Sequence, residues 1–280
     1  ADMQRECVLT INGEQVGRKN VTLGGEGQIE VAFDHVLVEP GKYVATVSIQ
    51  GDAVEADNQR MTTCDVFEQV VALLVAEPPN RAAPWDSAFF LTLALTPQDT
   101  GSVVGRAPIR IDRRAPQEVA GLDLSKYSVV FCADLRTMTP KATNDLRAYV
   151  AAGGRMIAFA GDWAATGQSP FYNDRTLFGW KFDGPWTLKG VEDEPATLAP
   201  PETGHVLFRS LLDDPAINFQ AVQVYKRVRV DPLTLDPDSQ VVASLSDAGP
   251  WLLEKRYGKG SVLCFTLPPT PEWSSLPTRP

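Results

Sequence analysis

One stretch of chain, from Tyr127 to Ala160, constrains the fold more than any other. Residues 127–132 form an apolar strand, Thr139-Pro140 carries the signal of a helix start, and the helix predicted through Val150 stops at Gly153-Gly154. Residues 155–160 are a second apolar strand. Strands this apolar need cover on both faces, so the unit is predicted to be a right-handed βαβ crossover in a mostly parallel sheet. The continuous run at 70–75 and a shorter one at 109–111 supply further strands. Between them, residues 87–95 read as a partly buried helix through Phe89, Phe90, Leu93 and Leu95. Residues 240–245, 251–256 and 261–266 are strand-like and are separated by Asp247-Ala248-Gly249 and Gly258-Lys259-Gly260. They are predicted to extend the same sheet in antiparallel fashion. The aromatic stretch Phe171, Tyr172, Phe178, Trp180, Phe182 and Trp186 reads as a helix and a short strand.

The chain ahead of this has another texture. Only Pro40 of the 22 prolines lies before residue 65, which marks a boundary near Cys64 and domains at 1–65 and 66–280. Residues 7–11, 21–23, 29–33, 43–49 and 61–66 alternate as short strands, with turn signals at Asn12-Gly13, Gly24-Gly25, Pro40-Gly41 and Gly51-Asp52. That spacing predicts a small antiparallel sandwich.

Composition narrows the function classes. The 280 residues are 44% hydrophobic and 22% charged, enough for a sizeable core. The net charge is −9, and neither part of the chain is basic, which argues against a nucleic-acid surface. No apolar run approaches the roughly 18 to 20 residues of a membrane helix, and the first residues lack a signal pattern.

Some segments are recognisable. Gly41-Lys42-Tyr43 with Asp57-Asn58-Gln59-Arg60 resembles the Ig-like segment of BatA-like bacterial membrane proteins, and Leu124-Ser125-Lys126-Tyr127-Ser128-Val129-Val130 with Tyr149-Val150-Ala151-Ala152-Gly153-Gly154 resembles their following domain. Tyr257-Gly258-Lys259-Gly260-Ser261-Val262-Leu263 and Trp273-Ser274-Ser275-Leu276-Pro277 resemble the end of that domain. The resemblance implies a two-domain chain: an Ig-like β-sandwich, then an α/β flavodoxin-like, class I glutamine amidotransferase-like domain with an antiparallel β-extension. It also implies a place on the extracytoplasmic side of the bacterial cell envelope. The membrane segments and von Willebrand type A domain such proteins carry are absent from these residues, so the expectation is an excised portion of a longer protein, cut just after Arg279-Pro280.

An active amidotransferase of this class needs a Cys nucleophile on a strand-to-helix elbow and a His with an acidic partner. The elbow should follow the strand after Gly153-Gly154, where the sequence reads Ile157-Ala158-Phe159-Ala160-Gly161-Asp162. Aligning Gly161 with the glycine that closes the family's elbow puts Phe159 at the nucleophile's position, and a phenyl ring attacks nothing. The family's His-Pro-Glu falls near Phe265-Thr266-Leu267-Pro268, which has neither His nor acid.

Alternative chemistry has three candidates. Cys132 ends a predicted strand and faces either the crevice or the core, and Asp162 follows the vestigial elbow. His205, one of two histidines, is either a base beside Asp213 or Asp214 or a loop-ordering residue. His35 falls in the first domain, and Cys264 lies within an apolar strand. Trp163 is the candidate for a carbohydrate-stacking platform, whereas Trp180 and Trp186 read as core. No metal site is expected: Asp231, Asp236 and Asp238 have turn spacing without the glycine and terminal glutamate of a calcium loop, Glu192-Asp193-Glu194 reads as a solvated loop, and Gly24-Gly25-Glu26-Gly27 lacks a phosphate loop's Lys. No cofactor is expected. Cys7 and Cys64, on the first and last predicted strands of the first domain, leave a disulfide open.

The function expected is a non-catalytic interaction or scaffold module with a protein partner, no nucleic acid, and a membrane attachment made by segments outside these residues. The alternatives are a hydrolase or amidotransferase with a non-standard site around Cys132, Asp162 and His205, and a carbohydrate-binding module.

Overall fold

The computed structural model describes residues 3–24, 28–49, 58–79, 85–96, 109–188, 190, 194–201, 205–212, 214 and 217–278. The expected turns at 25–27 and 51–52, the acidic residues Glu192 and Asp193, Asp213, and the Arg279-Pro280 end lie outside the described residues. The chain divides into two compact units, Ala1–Gln69 and Val70–Pro280.

The first unit contains β1 (Met3–Ile11), β2 (Glu14–Leu23), β3 (Gly41–Ile49) and β4 (Gln59–Val66) in one antiparallel sheet of order β2-β1-β3-β4. Asn12 and Gly13 both have positive φ, 51° and 85°, which matches the twist of the β1–β2 hairpin they close. Its buried apolar residues are Cys7, Val8 and Leu9, all on the central strand β1. The strand expected at 29–33 is not one: the segment has no regular structure, and Ile29 is 50% exposed. Val31 and Phe33 are half-buried while their neighbours are exposed, and the Phe33 ring lies against Gly17 of β2. The alternation therefore reflects an extended segment laid on a sheet, without backbone pairing of its own. Among the described residues this unit holds one sheet. Cys7 and Cys64 are both free. β3 stands between their strands, and Cys7 pairs with Ile49 whereas Cys64 pairs with Tyr43, six positions along. Two strand spacings alone put them about 9.6 Å apart, beyond the reach of a disulfide.

The second unit runs β5 (Val70–Ala76), α1 (Ser87–Leu95), β6 (Ile109–Arg114), β7 (Val129–Ala133), α2 (Pro140–Ala151), β8 (Arg155–Phe159), α3 (Asp162–Ala165), β9 (Phe182–Thr187), β10 (Ala196–Thr197), α4 (Arg209–Leu212), β11 (Gln223–Val224), β12 (Lys226–Val230), β13 (Ser239–Ser244), β14 (Pro250–Tyr257) and β15 (Gly260–Phe265). Seven of these strands make one sheet of order β13-β14-β15-β8-β7-β5-β6. β6, β5, β7, β8 and β15 are parallel, and β14 and β13 add the antiparallel extension. Taken in chain order, the parallel strands stand second-first-third-fourth-fifth, the arrangement of a doubly wound α/β sheet. The order reverses between β5 and β7.

Each face of the sheet carries a packed layer, the one opposite α2 only in part. α2 starts at Pro140 with the Thr139 hydroxyl accepting from the Ala142 N–H at 3.2 Å, and it buries Ala142, Leu146 and Val150 at four-residue spacing. It ends where Gly153 takes a φ of 118°. This face shares its core with Val130, Cys132, Ala158 and the rings of Phe171, Tyr172, Phe178 and Trp180. The helix expected among those aromatics is a series of turns, because the rings pack edge-to-face around one another and leave no single apolar stripe. The opposite face, Ala72, Leu74, Phe131, Ala133 and Phe159, is covered by α1 through Ala88 and Leu91. Among the described residues no helix is long and apolar enough to cross a membrane.

Candidate functional site

A doubly wound sheet leaves a crevice outside the carboxyl ends of its strands, where the strand order reverses. Ala76, Ala133 and Phe159 close β5, β7 and β8 in mutual register, so the next residues, Glu77, Asp134 and the turn Ala160-Gly161, gather along one edge. Asp162 and Trp163 open α3 directly beyond.

Asp134 is the central group. It adopts the left-handed conformation, φ 43°, which Asp tolerates better than most residues. Its own N–H donates to the Phe159 carbonyl at 3.0 Å, tying the end of β7 to the end of β8. The carboxyl packs so closely on Gly161 that a Cβ there would stand 2.4 Å from its carbon. Burial and the negative charge of Asp162 push its pKa up to about 7, against the pull of N–H groups from Trp163, Asp162 and Gly161. Oδ1 is buried without a hydrogen-bond partner.

Around it, the Glu77 carboxylate accepts the Arg136 N–H at 3.1 Å, and the Arg136 guanidinium lies 4.9 Å from the centre of the Trp163 ring. Arg113 donates to the Glu77 carbonyl at 3.0 Å and to Asp86 at 3.3 Å. Tyr172 supports the edge from beneath, its hydroxyl donating to the Phe159 carbonyl at 2.6 Å and accepting the Leu135 N–H at 3.3 Å. The edge can thus hold and release one proton near neutrality beside a second carboxylate. Among the described residues, no group of three acidic, His or Cys side chains is placed to hold a metal ion.

The candidates named from sequence do not converge here. Cys132 is fully buried in the α2-side core, and burial raises its thiol well above the ordinary value. Cys264 is buried likewise. Phe159, which the sequence resemblance aligns with a nucleophile, faces the opposite layer and stacks on Phe265 at 4.9 Å with 6° between the rings. His205 lies over that same layer, Nε2 3.5 Å from Glu254, in a cavity lined by Phe131, Ile157 and Leu263. The sheet therefore stands between His205 and Cys132. The cavity holding His205 also reaches Arg155 and Ser261, at the amino ends of β8 and β15, whereas Asp162 lies beyond the carboxyl ends, and β8 alone spans about 13 Å. The grouping of Cys132, Asp162 and His205 is thus not formed. Of those candidates only Asp162 and Trp163 belong to the crevice, and one face of Trp163 is taken by Arg136. Trp180 is core as expected, while Trp186 is half-buried with the Arg227 guanidinium over it at 4.7 Å. Asp231 caps the turn 232–234, the ordinary turn chemistry expected of it.

No family model matches the sequence, and no curated protein does. Solved structures with a similar backbone include a cytoplasmic protein from Salmonella typhimurium LT2, with 15% identity over 84% of this chain and 87% of that one and a TM-score of 0.49. A protein described as ThuA-like from Bacteroides uniformis aligns with 13% identity over 73% of this chain and 85% of its own, TM-score 0.49. The β-galactosidase of Bacillus circulans sp. alkalophilus aligns with 14% identity over 72% of this chain, TM-score 0.47, and there the chain spans 29% of that enzyme's length. At such identities no residue role passes from those proteins to this one.

Proposed function

We propose that this protein is a non-catalytic interaction module: an Ig-like unit followed by an amidotransferase-like domain that has kept its scaffold and lost its nucleophile. The observation that carries the reading is the β8–α3 turn. The side chain that should attack a carbonyl there is Phe159, turned away from the crevice and stacked on Phe265 in the core. Asp134 can hold a proton near neutrality, but acyl transfer of this kind also needs an attacking atom and a base beside it. The two thiols of the domain are buried and held protonated, and His205 is on the other face of the sheet from Cys132. On this reading the partner is a protein and the module lies on the extracytoplasmic side of the bacterial envelope, attached by segments outside these residues, as its sequence resemblance to BatA-like proteins implies.

The test is native-state alkylation. With iodoacetamide at neutral pH, Cys132 and Cys264 are expected to stay unmodified until the protein is denatured, while exposed Cys64 reacts at once. Rapid, stoichiometric labelling of Cys132 in the folded protein would overturn the reading.

A further inference from the structure

The face of the sheet opposite α2 is only partly filled. Between α1 and residues 207–211 and 217–222 runs a trough whose floor is Phe159, Phe265 and Trp251, each 5 to 7% exposed or half-buried. Two adjoining cavities make it, of about 480 Å³ beside Phe90 and Leu93 of α1 and about 570 Å³ beside Phe208 and Phe219. They share Leu198, Val222, Trp251, Phe265 and Leu276. In the larger one Asn218 is the sole polar lining residue.

At Leu207 the trough meets a third cavity, of about 720 Å³, with a different character. The pleat puts Arg256, Ser261 and Arg155 in one row across β14, β15 and β8, and Lys259 lies beside them. No ion pair among the described residues engages Arg155, Arg256 or Lys259. Among the described residues the one acid lining this cavity is Glu254, already taken up by Gln240 at 2.8 Å and His205 at 3.5 Å. Among the described residues, the face therefore grades from a recessed aromatic floor to a cationic end that no ion pair engages.

We propose that this trough binds an amphipathic carboxylate, with its alkyl chain over Phe159, Phe265 and Trp251 and its head group at Arg155, Arg256 and Lys259. The cavities have the size of small-molecule sites and the apolar lining with few polar groups that such sites show. The charge lies at one end only, which matches a ligand with one anionic terminus. A flat protein surface would sit on the rims of the trough and leave its floor unfilled. The proposal does not depend on whether the crevice at the strand ends is catalytic.

The probe is sodium dodecanoate, kept below its micelle concentration and titrated into the full chain by calorimetry, with dodecanol as the uncharged control. Saturable one-to-one binding of dodecanoate is expected. Ala94→Trp, an exposed position on the α1 wall, should fill the trough and weaken both ligands about tenfold or more. Arg256→Glu should weaken dodecanoate about tenfold and leave dodecanol unchanged, and Arg155→Glu provides the same comparison at a second exposed site. Circular dichroism melts establish that each variant is folded. Failure of the folded wild-type protein to bind dodecanoate saturably would overturn the proposal. So would binding that Ala94→Trp leaves unchanged, or a charge reversal that affects dodecanoate and dodecanol equally.

Discussion

At the residue scale, Asp134 makes a prediction that depends on sign. Its carboxyl holds a proton up to about pH 7 in the folded protein, against 3.8 for the ordinary group, because burial and Asp162 both disfavour the charge. The folded state thus binds more protons than the unfolded chain between those values. Its contribution to stability is full below about pH 3.8 and is lost as pH rises through 7, a change of about 4 kcal/mol at most. Asp134→Asn keeps the shape, tolerates the positive φ and cannot ionise. Urea midpoints at pH 5 and pH 8 should therefore move closer together in the variant, with the gain at pH 8. An unchanged pH dependence would show that another group controls it. Asp134 escaped the sequence-based reading because nothing in Ala133-Asp134-Leu135 marks it as special. The available signal was its place, directly after a predicted parallel strand of a doubly wound sheet. His205 misled for the converse reason: an isolated histidine carries no spacing information, and only the fold reveals which face it occupies.

At the element scale, what was legible tracks how far local patterning decides the structure. α2 is encoded by its own residues, from the Thr139 cap and Pro140 through the Ala142, Leu146 and Val150 stripe to Gly153. Thr139→Ala should cost about 1 kcal/mol and Leu146→Ala about 2 to 5 kcal/mol, each measurable by chemical denaturation. Were the cap substitution as costly as the core one, the helix would depend on its start far more than described. β5, β7, β8 and the β13–β15 extension were legible for a related reason, since continuous apolar runs and glycine turns need little context. The segment at 29–33 and the aromatic stretch at 171–186 were not. Alternation says which side chains point inward but not whether the backbone finds a partner, and Val31 and Phe33 turn inward without one. In the aromatic stretch, ring-on-ring contacts override periodicity, so the helix signal there was spurious while the strand β9 was real.

For the molecule as a whole, the two units differ in how they are held together. Among the described residues, Val70–Pro280 contains the seven-stranded sheet, both covering layers and nearly all the buried apolar side chains, whereas the first unit buries Cys7, Val8 and Leu9. Local opening free energy follows buried contacts. Amide hydrogen exchange should consequently be slowest in β5, β7 and β8 and markedly faster in β3 and β4, and equal protection would contradict this division of stability. On the proposed reading, the scaffold of the second unit is complete down to its strand-end crevice, yet residues that would serve acyl transfer are displaced from it. Phe159 is in the core, Cys132 is on the far side of the sheet from His205, and Asp134 holds its proton beside the Asp162 carboxylate.

The most direct measurement of that claim is turnover: release of ammonia from glutamine and of nitrophenol from a panel of nitrophenyl esters and amides, with the wild-type protein beside Asp134→Asn and Asp162→Asn. No release above the uncatalysed background is expected for any of the three. Release by the wild-type protein that either substitution abolishes would contradict it and establish the strand-end carboxylates as parts of an active site.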